Sequence, residues 1–412
     1  METLPLETLQ EILDWLPLED QPTTRLTCRL FAEMIPRSPE YQKHLGLAND
    51  DPALVAAAIT RKPWFRTDVC HLSAKQGSLE VLKWSRKNDC SWDIWTCAYA
   101  AHNGHLEILE WLRANNCPWN EWTCAYAAEN GHLEVLQYAH QNGCPWDAQT
   151  CSYAAKNGHL EVLKWARANG CPWNSWMCTY AAKKGHLNII QWAKANDCPW
   201  DSYTCSYAAE NGQLEVLQWV RANGCPWNSH TCALAAKNGH LGTLKWAWAN
   251  GCPWDVHTCV LAAKNGQLEV FKWLQTNGCP WDSWTCSYAA KNNHLHILQH
   301  AHQNGCPWDA WTCTYAAKNG HLEVLQYAHQ NGCPWDSYTS AFAAENGHLE
   351  VLQYAHQNGC PWDAWTCIYA AENGHLEVLQ WAHQNGCPWD SQECLRLSER
   401  HPRVQEWIRQ NV

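Results

Sequence analysis

Cysteine recurs in this chain at a single interval. Cys90, Cys117, Cys144, Cys171, Cys198, Cys225, Cys252, Cys279, Cys306, Cys333, Cys360 and Cys387 follow one another at steps of 27 residues. A second set runs at the same step from Cys70 and Cys97 to Cys367 and Cys394, with Ser340 on its one vacant rung. Together with Cys28 these positions account for all 25 cysteines. Self-similarity at a fixed period of this size marks a solenoid, in which each repeat buries its apolar surface mainly against its neighbours. A chain of 412 residues also exceeds what one ordinary core organises. Its 30 Trp and 25 Cys beside 4 Phe and 3 Met are what copying one small unit produces.

Each repeat reads as two short helices. In the stretch from Asp309 to Pro334, Asp309 caps a first helix that carries Thr312, Cys313, Tyr315, Ala316 and Ala317 and stops at Asn319-Gly320, a pair that tolerates left-handed backbone. His321 to Gln330 forms a second helix with Leu322, Val324, Leu325 and Ala328 at helical spacing, closed by Asn331-Gly332. The link NGCPWD is too short for a hairpin with useful strands. The expected fold is therefore all-α: an array over 70–389 of about twelve repeats, on the order of 120 Å long at the spacing of packed helices.

That spacing excludes a disulfide ladder between equivalent cysteines, since a bridge needs Cα atoms within roughly 7 Å. Cys306 and Cys313 of one repeat could meet, but in the reducing setting expected here they stay thiols. Zinc is the sharper alternative, with Cys306, Cys313 and His321 as soft ligands. Their spacing is wrong for a structural site, and Ser340 replaces one cysteine while Ser78, Gln213 and Gln267 replace the histidine in repeats otherwise unchanged. The reading is that no metal or cofactor is bound and that the cysteines are small buried residues in the seam between repeats.

The aromatic residues fall into three classes. Trp308 and its equivalents from Trp92 to Trp389 never vary and read as a buried spine. Residues such as Trp273, Tyr327 and Trp381 on the second helix read as packing. The third class directly precedes the threonine, or Met177 and Glu393 in its place: Trp95, Trp122, Trp176, Tyr203, His230, His257, Trp284, Trp311, Tyr338 and Trp365, with Gln149 and Gln392 in the same position. A position that exchanges aromatic for polar without disturbing its neighbours is exposed, and a row of exposed Trp, Tyr and His has the composition of a binding face. The residue after Ala-Ala, which runs through Lys264, Lys291, Lys318, Glu345 and Glu372, reads as a solvated rim. His302, His329, His356 and His383 read as helix-end residues that complement the helix dipole.

The stretch AAKNGHLEVLQYAHQNG, repeated with small changes from Ala74 to Gly386, resembles the second half of an ankyrin repeat. The family's Thr-Pro-Leu-His becomes Thr-Cys-x-Tyr here, and the shorter repeat lacks the segment that forms the family's projecting β-hairpins. The resemblance thus implies an ankyrin-like solenoid with reduced or absent hairpins, of the Cys-Pro-Trp kind found in large DNA viruses of protists. Residues 1–36 break the pattern. Leu6, Leu9, Leu13 and Leu16 line one helical face, Pro17 stops it, and Asp20 and Pro22 start a second helix. With Leu4-Pro5-x-Glu7, Ile12-Leu13-x-x-Leu16-Pro17 and Thr27-Cys28-Arg29-x-Phe31, this segment resembles an F-box. The resemblance implies that Leu4, Pro5, Leu9, Ile12, Leu13, Leu16 and Pro17 dock into a Skp-type adaptor of a cullin-RING ubiquitin ligase. Residues 37–69 read as a junction with a degenerate first half-repeat, and 390–412 as a charged terminal capping repeat.

A net charge of −11, from 40 acidic and 29 basic residues, argues against a nucleic-acid partner. No apolar run approaches a membrane span, and the N-terminus lacks the basic start of a signal peptide. There is no phosphate loop, nucleophile elbow or HExxH, and side chains copied so uniformly do not make the single asymmetric constellation an enzyme needs. The expected function is that of a monomeric cytoplasmic or nuclear adaptor. Its N-terminal helices recruit the ligase and its repeats hold an unidentified protein target. The alternative is an interaction scaffold with no ligase link.

Overall fold

In the computed structural model, which describes residues 68–411 together with Pro52, Ala53 and Ala56, the local signals act where they stand in the sequence. Asp309 takes extended backbone and its carboxylate accepts the Trp311 N–H at 3.0 Å, opening a helix over Ala310–Lys318. Asn319 ends it, its side-chain amide donating to the Tyr315 carbonyl at 2.8 Å. His321 precedes the second helix, Leu322–Gln330, which Asn331 and the left-handed Gly332 close. The described residues hold 26 helices in this alternation and no strand. The described residues thus form an all-helical repeat structure with no β-hairpin among them.

The described residues divide into two compact bodies, those up to 150 with 164–171 and residues 151–163 with those from 172 onward. In each, the first helices of successive repeats pack along their whole length, whereas the second helices touch far less. The cause is side-chain size. The first helix turns Thr, Cys and two Ala toward its neighbours, all fully buried, as in Thr312, Cys313, Ala316 and Ala317. Small side chains let backbones approach closely, and the larger apolar residues Val324 and Leu325 of the second helix fill the space behind them.

A ladder of hydroxyls runs through this seam in the second body. Thr179 and Thr204 lie 3.3 Å apart, Ser206 and Thr231 3.2 Å, Ser287 and Thr312 3.2 Å, and Thr314 and Thr339 3.2 Å. Where the residue 25 positions earlier is alanine, the threonine loses that partner. Thr123 and Thr150 in the first body and Thr366 in the second follow Ala98, Ala125 and Ala341, and their buried hydroxyls have no hydrogen bond. Thr258 and Thr285 follow Ala233 and Val260 and turn instead to the backbone N–H of Asp255 and Asp282.

The cysteines are buried, and the two sets meet across repeats. A thiol on the first helix lies beside the Cys-Pro-Trp thiol twenty residues later, as in Cys97 with Cys117, Cys286 with Cys306 and Cys313 with Cys333. Ser340 keeps the arrangement, donating to Cys360 Sγ at 3.5 Å. Cys306 and Cys313, which the sequence allowed to meet within one repeat, turn to different neighbours: Cys306 donates to the Asp282 carbonyl of the preceding repeat at 3.4 Å and Cys313 to the Cys333 carbonyl of the following one at 3.9 Å. The loop wraps back over the neighbouring helix, which sequence spacing does not reveal. Burial pushes the Cys70 thiol up to about 12 and Cys360 to about 11, so neither is a thiolate at neutral pH.

The invariant tryptophans are half-buried rather than a buried spine. Most are sandwiched instead. His329 stacks on Trp335 at 3.7 Å and 12°, while Tyr354 of the next second helix meets the same indole edge-on at 6.5 Å. Elsewhere the stacking partner is a cation: Arg113 lies 4.0 Å over Trp119 in the first body, and Arg221 lies 4.3 Å over Trp227 in the second. His302, His329, His356 and His383 thus serve the indole six residues on, a role that the dipole reading missed.

A second set of histidines spans the repeat junctions. The His375 ring sits on Gly347, where a Cβ would lie 2.6 Å from Nδ1, and its Nε2–H donates to the Glu345 carbonyl at 3.0 Å. His294 and His321 reach the Lys264 and Lys291 carbonyls in the same way, each at 3.1 Å. Burial holds His321 and His348 below the ordinary 6.5, adjacent histidines add to the depression, and the carbonyl bonds to Lys291 and Lys318 oppose it. A lowered folded-state value means that the stabilisation is complete above pH 6.5 and is lost as pH falls below it. The thermal midpoint of the chain, followed by far-UV circular dichroism, should therefore drop between about pH 7.5 and about pH 5.5. His321→Gln with His348→Gln should shrink that drop, since Gln213 and Gln267 already fill the same place against Gly185 and Gly239. Equal drops in parent and variant would refute the assignment.

Candidate partner-binding face

The residue before each threonine, or before Met177 where methionine replaces it, is the second of its helix. Its N–H is tied to the capping Asp or Asn while its side chain projects away from the seam. This places Trp176 at 42% exposure, Tyr203 at 54%, Trp284 at 45%, Trp311 at 43%, Tyr338 at 55% and Trp365 at 51%. His230 and His257 are exposed as well. Trp95 and Trp122 depart from the row. They are half-buried, lean on each other at 6.2 Å, and both approach Tyr126, at 6.5 and 5.6 Å.

A tyrosine or phenylalanine one helical turn on supports most of the exposed rings. Trp176 lies 5.7 Å from Tyr180, Tyr338 5.8 Å from Phe342 and Trp365 5.4 Å from Tyr369. Trp176 also stacks on Tyr203 of the next repeat at 6.0 Å and 18°. The rings are therefore held in place before any partner arrives, which lowers the entropy that binding must overcome.

The charged rim beyond them is more organised than a solvated edge. Lys183 lies 5.1 Å over Tyr207, Lys318 4.4 Å over Phe342, and Lys318 also pairs with Glu345 at 2.9 Å, all links from one repeat to the next. Sequence reasoning found the row of rings but not this coupling. The signal available was a lysine after Ala-Ala with an aromatic ring 24 residues on, as at Lys183 and Tyr207 or Lys318 and Phe342.

Cys306, Cys313 and His321, the zinc alternative, bond to the carbonyls of Asp282, Cys333 and Lys291, which lie in different repeats. Among the described residues no group of three or more His, Cys, Asp or Glu side chains is placed to hold a metal, and no helix is long and apolar enough to cross a membrane. Leu4, Pro5, Leu9, Ile12, Leu13, Leu16 and Pro17 lie outside the described residues.

Comparison with known families matches residues 1–43 to the F-box domain and residues 124–167, 151–193 and 341–383 to ankyrin repeats (many copies). Both matched families, the F-box and the ankyrin repeat, are interaction domains rather than catalytic ones. Among solved structures, the ankyrin repeat domain of human ASB11 is similar at 16% identity over 38% of this chain and 84% of that one, with a TM-score of 0.33. No curated protein matches the chain.

Proposed function

We propose that this protein is the substrate-recognition subunit of a cullin-RING ubiquitin ligase and performs no bond chemistry itself. The observation that carries the reading is the F-box at 1–43 ahead of ankyrin repeats, a recruitment module joined to a binding surface. Leu4, Pro5, Leu9, Ile12, Leu13, Leu16 and Pro17 dock into a Skp-type adaptor, an apolar helix in a groove. The target protein lies across Tyr203, His230, His257, Trp284, Trp311, Tyr338 and Trp365, with Trp176 in the same row and Trp95 and Trp122 as its half-buried counterparts. The chain acts as a monomer in the cytoplasm or nucleus, and its Cys-Pro-Trp repeats, like those of large DNA viruses of protists, fit a host protein as target.

Co-purification tests both arms. Leu13→Asp with Leu16→Asp puts two charges where an apolar groove would cover them, and adaptor recovery should fall at least about tenfold. Trp284→Ala with Trp311→Ala and Trp365→Ala should keep the adaptor and lose the target. Adaptor binding unchanged in the aspartate variant leaves the interaction scaffold with no ligase link as the function.

A further inference from the structure

If the first helices carry the target face, the charges along it define the target further. Lys237 approaches Glu210 at 3.6 Å, and Lys318 pairs with Glu345 at 2.9 Å. Between these neutralised positions stand Lys264 and Lys291, both exposed and, among the described residues, in no ion pair. Each ammonium lies over the tyrosine of the next repeat, Lys264 over Tyr288 and Lys291 over Tyr315, both at 5.3 Å. Each tyrosine in turn meets the exposed tryptophan at the start of its own helix, Trp284 to Tyr288 at 5.9 Å and Trp311 to Tyr315 at 5.4 Å. One arrangement of indole, phenol and ammonium is therefore present twice, one repeat apart.

An exposed cation over a ring gains only about 0.5–1 kcal/mol, so the ring orients the ammonium without satisfying it. The lysine stem is held along the phenol, which reduces the rotamer freedom lost when an anion binds. Successive repeats are separated by about 10 Å, the distance between packed helices. A peptide extended in the polyproline II conformation advances about 3.1 Å per residue with three residues per turn, so every third side chain lies on the same face and three residues span about one repeat. We propose that Lys264 and Lys291 bind an extended acidic segment of the target protein with carboxylates three residues apart, and that apolar side chains of the same segment lie on Trp284 and Trp311.

A nucleic acid fits this surface poorly. Asp255, Asp282 and Asp309 cap the same row of first helices at the end opposite the lysines, about 13 Å away along a nine-residue helix. They would repel a continuous phosphate backbone, and the chain as a whole carries −11. A peptide offers isolated carboxylates that meet the lysines alone.

The test rests on the proposed target face and uses the full chain. Fluorescently labelled peptides are titrated by anisotropy: four Glu-Pro-Leu triplets, the same residues rearranged to place glutamates at alternate positions, four Lys-Pro-Leu triplets, and a single-stranded oligothymidine. The glutamate triplet should bind best. Lys264→Glu with Lys291→Glu should weaken it about tenfold or more, as should Trp284→Ala with Trp311→Ala, and added salt should weaken the parent complex. No saturable binding of the triplet, equal binding of the rearranged peptide, indifference to lysine reversal, or tighter binding of the oligothymidine would each overturn the proposal. Target capture from cells separates this proposal from the broader one. Capture that needs Trp284 and Trp311 but ignores lysine reversal refutes the acidic segment and leaves the aromatic face standing, whereas capture that ignores both removes both.

Discussion

Replacing Trp335 by alanine should cost about 3 kcal/mol of stability, the low end for a tryptophan deletion because the ring is half-buried. The indole lies between two repeats. Its face takes His329 at 3.7 Å, from the end of one second helix, and its edge takes Tyr354 at 6.5 Å, from the next. His329 also meets Tyr354 edge-on at 6.2 Å, so the three rings close on one another. Deleting the central ring removes two of three contacts and opens the space between Leu322–Gln330 and Leu349–Gln357 to water. Trp335→Phe keeps an aromatic face for His329 and should cost about 1 kcal/mol. Because each repeat leans mainly on its neighbours, the loss should be local as well as global. Amide exchange should accelerate in those two second helices more than in the helix over Ser175–Lys184, and the urea midpoint should fall. A midpoint unchanged by Trp335→Ala would show that the indole is decoration, not adhesive.

The helix pairs were legible because each boundary carries its own chemistry: Asp309 as cap, Asn319-Gly320 as stop, His321 as the next start, Pro334 as a bar to continuation. Those signals act within a few residues and need no tertiary context. The exposure of Trp284 and Trp311 was legible for a different reason, since a place that accepts Gln149, His230 and Trp284 alike cannot be fitted into a core. What could not be read was who meets whom between repeats. The partner of Cys313 is set by the path of a loop twenty residues on, and the partner of Trp335, itself in a loop, by a histidine six residues back at the end of the preceding helix. That second pairing left a trace. Six residues before each invariant tryptophan stand Arg86, Arg113, His140, Arg167, Lys194, Arg221, Trp248, His302, His329, His356 and His383, with Gln275 the one exception, all but that one able to lie on an indole face. Periodicity shows that a position matters, whereas distance to the next repeat decides for what.

Gln275 stands in the repeat where the packing changes hands, and the pair at its centre gives the strongest test of how the seam is fitted. Phe271 is fully buried where other repeats carry Leu or Ile, as at Leu244, Leu298 and Ile190. Twenty-nine residues on, where the neighbours have Trp273 and Tyr327, stands the smaller His300. The two rings meet edge-on at 6.1 Å and 81°, and Trp281 lies 5.9 Å from Phe271. His300 fits by volume rather than by polarity: its Nε2 has no hydrogen bond, and burial, helped by Lys272, lowers its pKa and keeps the ring neutral. A larger residue on one side is thus balanced by a smaller one on the other. Phe271→Ala should cost about 4 kcal/mol through the cavity it leaves. Phe271→Leu alone should cost about 1–2 kcal/mol by underfilling, and His300→Tyr alone about 1–3 kcal/mol by crowding. Combined, the last two restore the arrangement of the neighbouring repeats and should cost less than either alone, a coupling on the order of 1–3 kcal/mol in a double-mutant cycle read by urea unfolding. Additive losses would mean that the two residues do not share a space, and that the substitutions at 271 and 300 are independent accidents of the repeat.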